Sequence, residues 1–138
     1  MDARTNRFLK DFSPSGRERL MGRLIYQELA AGETLFREGD PAEGICLVLA
    51  GEVEIVKKAG GRETIFACLQ TDEYLGEVAV LDGQGRSTDA RARSPAAIAW
   101  IPTADLLEVL ITEPVTLTLH LFQNVLAIWA RWYVQLLI

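Results

Sequence analysis

The chain has 138 residues, 49% hydrophobic and 24% charged, with nineteen Asp and Glu against fourteen Lys and Arg for a net charge of −5. That length is about one domain, and the composition excludes wholesale disorder, collagen and low-complexity classes. The acidic balance argues against a nucleic-acid-binding face, which needs a basic footprint, so any anion must be held by a local site. Residues 1–24 read as an N-terminal helical segment with six basic and three acidic side chains. Ser13 and Ser15, around Pro14 and Gly16, are placed to cap a short helix from about Arg17. No apolar signal-peptide core follows Met1, so a reducing, cytoplasmic location is expected.

From residue 25 to residue 101 glycine and proline clusters recur about every eight to twelve residues, the rhythm of short strands and turns. Strands are expected over Thr34 to Arg37, Gly44 to Ala50, Glu52 to Lys57, Thr64 to Leu69 and Ala97 to Ile101. Ile45 to Leu49 is apolar throughout, as in a strand covered on both faces, whereas Glu52-Val53-Glu54-Ile55 alternates like a half-buried one. Gly60-Gly61 signals a hairpin, because both central positions of a type I′ turn take positive φ. Cys46 and Cys68 lack the spacing of a zinc site; free thiols in the core are expected, with one disulfide as the alternative.

Within this stretch, residues 75–90 carry the most chemistry. Gly76 opens one short apolar turn that starts with Glu77, and a loop then presents Arg86, Ser87 and Thr88. Unpaired amides at the helix start make a seat for phosphate, and an arginine adds a bidentate contact. An ionised glutamate only accepts hydrogen bonds and suits a sugar hydroxyl. On spacing alone, an equal reading is a surface ion pair between Glu77 and Arg86, worth about 0–1 kcal/mol.

After Ile101 the period turns helical, and residues 102–138 read as C-terminal helices. Thr103 is the expected N-cap of the first, with Asp105 in its first turn, and Pro114 is expected in the first turn of the last. In that last helix Thr116, His120, Gln123, Asn124, Arg131 and Gln135 form one narrow polar stripe. A spanning helix would have no use for it, so this helix should pack on its own domain with one side and on a second copy with another, giving a homodimer; an interfacial membrane helix is the alternative. An enzyme is not expected: the sole histidine, His120, lies in this helix, too few for a strand-borne metal site or a Ser/His/Asp set. Neither metal nor haem ligands are arranged in the chain.

The segment from Leu75 to Ala90 resembles the phosphate-binding cassette of the cyclic nucleotide-binding domain, shared by cAMP-dependent protein kinase regulatory subunits, cyclic-nucleotide-gated channels and catabolite-activator-type transcription factors. The likeness extends to Ala31-Gly32-Glu33, to Phe36-Arg37-Glu38-Gly39-Asp40-Pro41, to Leu47 through Val53, and to Arg91-Ala92. It implies a mainly β fold with flanking α: a double-stranded β-helix, or jelly-roll-like β-roll of eight strands, with an N-terminal helix and C-terminal helices. It implies cAMP or cGMP as ligand, with no metal. Gly76 would be the point of close backbone approach, Glu77 the ribose acceptor, Arg86 the phosphate arginine, Ser87 and Thr88 the rest of the seat, and Val78, Ala79 and Leu81 its apolar wall. Trp129, Arg131, Trp132 and Tyr133 fall where the family covers the base.

Two departures stand out. The family's proline before the arginine is Gly85 here, which should loosen the loop, and Asp89 must turn away from the phosphate, toward water. DNA contact is not expected from this chain, because a helix-turn-helix would follow the last helix. The implied role is a regulatory sensor that signals through its C-terminal helix, pivoting near Thr112 to Pro114. A nucleotide-independent dimerisation scaffold of the same fold is the alternative.

Overall fold

A computed structural model of the chain describes residues 2–136, apart from the side chains of residues 78, 81 and 82. After a single 3₁₀ turn, Ala3–Thr5, the elements run α1 Pro14–Met21, β1 Ile25–Leu29, β2 Thr34–Phe36, β3 Gly44–Ala50, β4 Val53–Ala59, β5 Arg62–Leu69, β6 Tyr74–Leu75, α2 Glu77–Asp82, β7 Asp89–Ala92, β8 Ala96–Pro102, α3 Thr103–Leu110 and α4 Val115–Val134. The strands form two antiparallel four-stranded sheets, β1-β8-β3-β6 and β2-β7-β4-β5. This is the expected mainly β roll with flanking helices.

β3 shows why its sequence is apolar throughout. Cys46 and Val48 face the interior between the sheets, with Ile55, Phe66, Leu75 and Ile98. Ile45, Leu47 and Leu49 face the opposite way, onto a second core made with Phe8, Leu9, Phe12, Leu20, Leu106 and Leu117. Alternate side chains thus enter two different cores, and no position is left for a polar residue. The β4–β5 turn at Gly60 and Gly61 has φ of 58° and 77°, as the hairpin signal requires. Cys46 and Cys68 are both free thiols.

The structure corrects several local expectations. Glu54 is buried rather than solvated, because Arg91 from neighbouring β7 covers it at 2.8 Å. Ser13 is the cap, its Oγ accepting from the Gly16 N–H at 3.0 Å, so α1 starts at Pro14, three residues before Arg17. Thr103 is not an N-cap but the first residue of α3, and its hydroxyl donates to the Ala42 carbonyl at 3.1 Å. Pro114 stands one residue before α4 instead of inside its first turn.

α4 has two apolar faces. Leu117, Leu121, Val125 and Trp132 are buried on the domain, whereas Val115, Leu119, Phe122, Leu126 and Trp129 are exposed. Among the described residues no helix is long and apolar enough to cross a membrane.

Candidate functional site

Gly76 ends the short β6 and caps α2 with φ of +94°, a left-handed conformation that disfavours a side chain. Space excludes one as well: a Cβ there would stand 2.5 Å from Nη1 of Arg86. α2 then turns Glu77 inward, where it is 2% exposed, and among the described residues no other residue hydrogen-bonds either carboxylate oxygen. Burial pushes this carboxyl up to about 7, against the opposing pull of its own backbone N–H and of the Arg86 charge.

Arg86 is 4% exposed. Its Nη1 donates to the Gly76 carbonyl and its Nη2 to the Gly44 carbonyl, each at 2.8 Å, while the Phe36 ring lies 4.3 Å from the guanidinium carbon. Nε has no partner. Glu77 and Arg86 therefore share no hydrogen bond, and the surface ion-pair alternative is set aside: both are buried, and Arg86 spends its bonds on backbone carbonyls. The expected open fork toward two phosphate oxygens is likewise not the arrangement seen, because two of its donors are already engaged.

Gly76, Glu77, Ala79, Arg86, Ser87 and Thr88 come together on one cavity, closed by Phe36, Ile55 and Trp132. The side chains of Val78 and Leu81 lie outside the described residues. The cavity measures about 20 Å³, room for a single water. Glu77 and Trp132 also line a much larger cleft of about 740 Å³ between α4, the N-terminal segment and the β5–β6 edge. Glu77 and Trp132 thus both stand between the two spaces.

The profile described as the cyclic nucleotide-binding domain matches residues 26–113. The chain belongs to the cyclic nucleotide-binding domain family. It is 31% identical over 93 residues to the cAMP-dependent protein kinase regulatory subunit of Yarrowia lipolytica, a match covering 67% of this chain and 24% of that one. It is 28% identical over 78 residues to the CRP-like cAMP-activated global transcriptional regulator of Mycobacterium tuberculosis, covering 56% of this chain and 35% of that one. The chain thus spans about a quarter to a third of these curated relatives. Its fold is similar to the sensor domain of the transcriptional regulator DNR from Pseudomonas aeruginosa, with a TM-score of 0.79 at 21% identity, covering 90% and 83% of the two chains.

Of the four lid candidates in this cyclic nucleotide-binding domain, the structure brings Trp132 to the cassette, packed on Phe66 with ring centroids 6.2 Å apart, while Tyr133 packs on the same Phe66 at 5.5 Å without lining the cavity. Arg131 stands at the larger cleft. Trp129 lines neither space and packs on Tyr133 at 4.9 Å, on the exposed side of α4. Asp89 is turned away from the cavity as expected, yet it does not simply face water. It accepts from the Glu38 N–H at 2.7 Å and pairs with Lys58 at 3.0 Å.

Gly85, expected to loosen the loop, has φ of +85°, which a proline ring cannot adopt. Its neighbour is pinned on both sides: the Gly39 N–H donates to the Arg86 carbonyl and the Arg86 N–H to the Asp40 carbonyl, each at 2.8 Å. The loop is held by backbone bonds instead of by a ring.

Phe36 and Gly44 were not foreseen as site residues. The alternation of β2 points Phe36 inward and could have flagged it. Gly44 acts through its carbonyl, which no residue type reports.

Proposed function

We propose that this domain is a cytoplasmic cyclic nucleotide sensor that binds cAMP or cGMP and signals through α4 as a homodimer, in bacterial signalling or transcription regulation, with no catalysis of its own and no nucleic-acid contact. The carrying observation is that Glu77, whose carboxylate no other described residue hydrogen-bonds, and Arg86, whose Nε has no partner among the described residues, are both buried and line one cavity. An unsatisfied buried polar group costs about 1–3 kcal/mol, so a molecule bringing a hydroxyl to Glu77 and an anion to Arg86 recovers that cost. Those two needs, side by side, match a ribose joined to a ring-closed phosphate.

The size of the cavity supplies the mechanism. A nucleotide does not fit about 20 Å³, so its entry is proposed to displace Trp132, which lines both this cavity and the 740 Å³ cleft. Trp132 belongs to α4, and moving it moves the helix whose outer face is apolar. Binding and the displaced helix are then two aspects of one population shift, biased only by the affinity difference between the two arrangements.

The same close packing favours a second reading, in which the roll is a nucleotide-independent scaffold and α4 alone is functional. Isothermal titration decides. We expect saturable binding of cAMP or cGMP, weakened about 30- to 5000-fold in Arg86→Ala, the usual loss when one partner of a buried charge-assisted pair is removed. No heat and no thermal shift at millimolar nucleotide would leave the scaffold.

A further inference from the structure

β4 ends beside the cassette, and Lys57 reaches across to it. Its Nζ donates to the Ser87 carbonyl at 3.0 Å and pairs with the Glu38 carboxylate. The Lys57 side chain is only 19% exposed, unlike an ordinary surface lysine. Glu38 is itself fixed, since its N–H donates to Oδ1 of Asp89 at 2.7 Å. Lys57 therefore ties the Ser87 end of the loop that carries the phosphate seat to the β2–β3 connection.

The consequence follows from peptide geometry. No peptide bond in the described chain is cis, and in a trans peptide the carbonyl and the following N–H point in opposite directions. Ser87 and Thr88 line the cavity whereas Lys57 does not. A carbonyl of Ser87 held outward on Lys57 thus turns the Thr88 N–H toward the cavity that Arg86 and Glu77 share. The ammonium also places a positive charge one peptide unit from that amide.

We propose that Lys57 is a positioning residue for the anion seat: it orients the Ser87–Thr88 peptide so that the Thr88 amide donates to the nucleotide phosphate. This inference rests on the cyclic nucleotide reading above. A lysine that merely formed a surface pair with Glu38 would contribute little to anything.

The test compares wild type, Lys57→Met and Lys57→Arg by calorimetric titration with cAMP and cGMP, together with the backbone ¹⁵N–¹H resonance of Thr88 in the free proteins. Lys57→Met should bind about tenfold more weakly, the scale of one hydrogen bond to a charged group, while Lys57→Arg stays within about twofold of wild type. The Thr88 resonance should shift in Lys57→Met and return in Lys57→Arg, with thermal midpoints of all three proteins alike. Wild-type affinity in Lys57→Met, an unmoved Thr88 resonance, or an arginine variant as weak as the methionine one overturns the proposal. Wild-type protein that binds neither nucleotide overturns the sensor function instead, and Lys57's role toward phosphate falls with it.

Discussion

Glu77 carries the clearest consequence at the scale of one residue. Its carboxyl holds a proton to about pH 7 in the folded chain because burial penalises the charge, whereas the unfolded chain releases that proton near its ordinary value of 4.5. Between those two values the unfolded chain binds fewer protons, so stability falls as pH rises, by roughly 3 kcal/mol across the window for a group this buried. Arg86 is the charge that faces it, and the nearby Tyr74 hydroxyl, pushed up to about 12 by burial and by Glu77, does not titrate in that range. Glu77→Gln should abolish the slope and be more stable than wild type at pH 8, measured by urea denaturation from pH 5 to 8. Nucleotide reverses the sign: a ribose hydroxyl donating to Glu77 favours the carboxylate, so wild-type affinity should rise from pH 6 to 8 and that of Glu77→Gln should stay flat.

At the scale of one element, α4 was readable in advance as a helix with two apolar sides, and its spacing explains what the outer side can do. Val115, Leu119, Phe122, Leu126 and Trp129, all exposed, follow one another at intervals of four and three, a 3.5-residue repeat sustained for about two heptads. The buried side, Leu117, Leu121, Val125 and Trp132, is offset from it and packs on the roll. Flanking positions Thr116, Thr118, Gln123 and Ala130 carry no charge, so two copies of the seam can meet without repulsion. Sedimentation equilibrium should therefore find a dimer for wild type and a monomer for Leu119→Glu combined with Leu126→Glu. The thermal midpoint of the monomer should be insensitive to concentration. A monomeric wild type would reject this use of the seam.

Across the whole molecule, the N-terminal segment reaches the junction between α3 and α4, the expected pivot. Oε1 of Glu113 accepts from both the N–H and the hydroxyl of Ser13, each at 2.9 Å, and Arg19 donates to Thr112 at 3.1 Å. The expected pivot is thus strapped to the N-terminal segment, and the proposed movement of α4 would load that strap. Glu113→Ala should lower the thermal midpoint by about 5 °C through loss of two hydrogen bonds to a carboxylate, as scanning calorimetry would register. Much of this protein was determined by local pattern alone: the continuous apolar run of β3, the Gly60-Gly61 hairpin and the order of glycine, glutamate and arginine in the cassette, because period and backbone freedom are properties of neighbouring residues. Three short strands, β1, β6 and β7, escaped that reading, since each is defined by its partner across the sheet more than by its own sequence. Only the tertiary structure decided that Glu54 is buried under Arg91, that Arg86 spends its Nη donors on Gly44 and Gly76, that Lys57 grips Ser87, and that Trp132 rather than Trp129 closes the cassette. Each of these depends on residues brought together from distant parts of the chain, and burial, which sets the energy of a charge, exists only once the chain has closed around it.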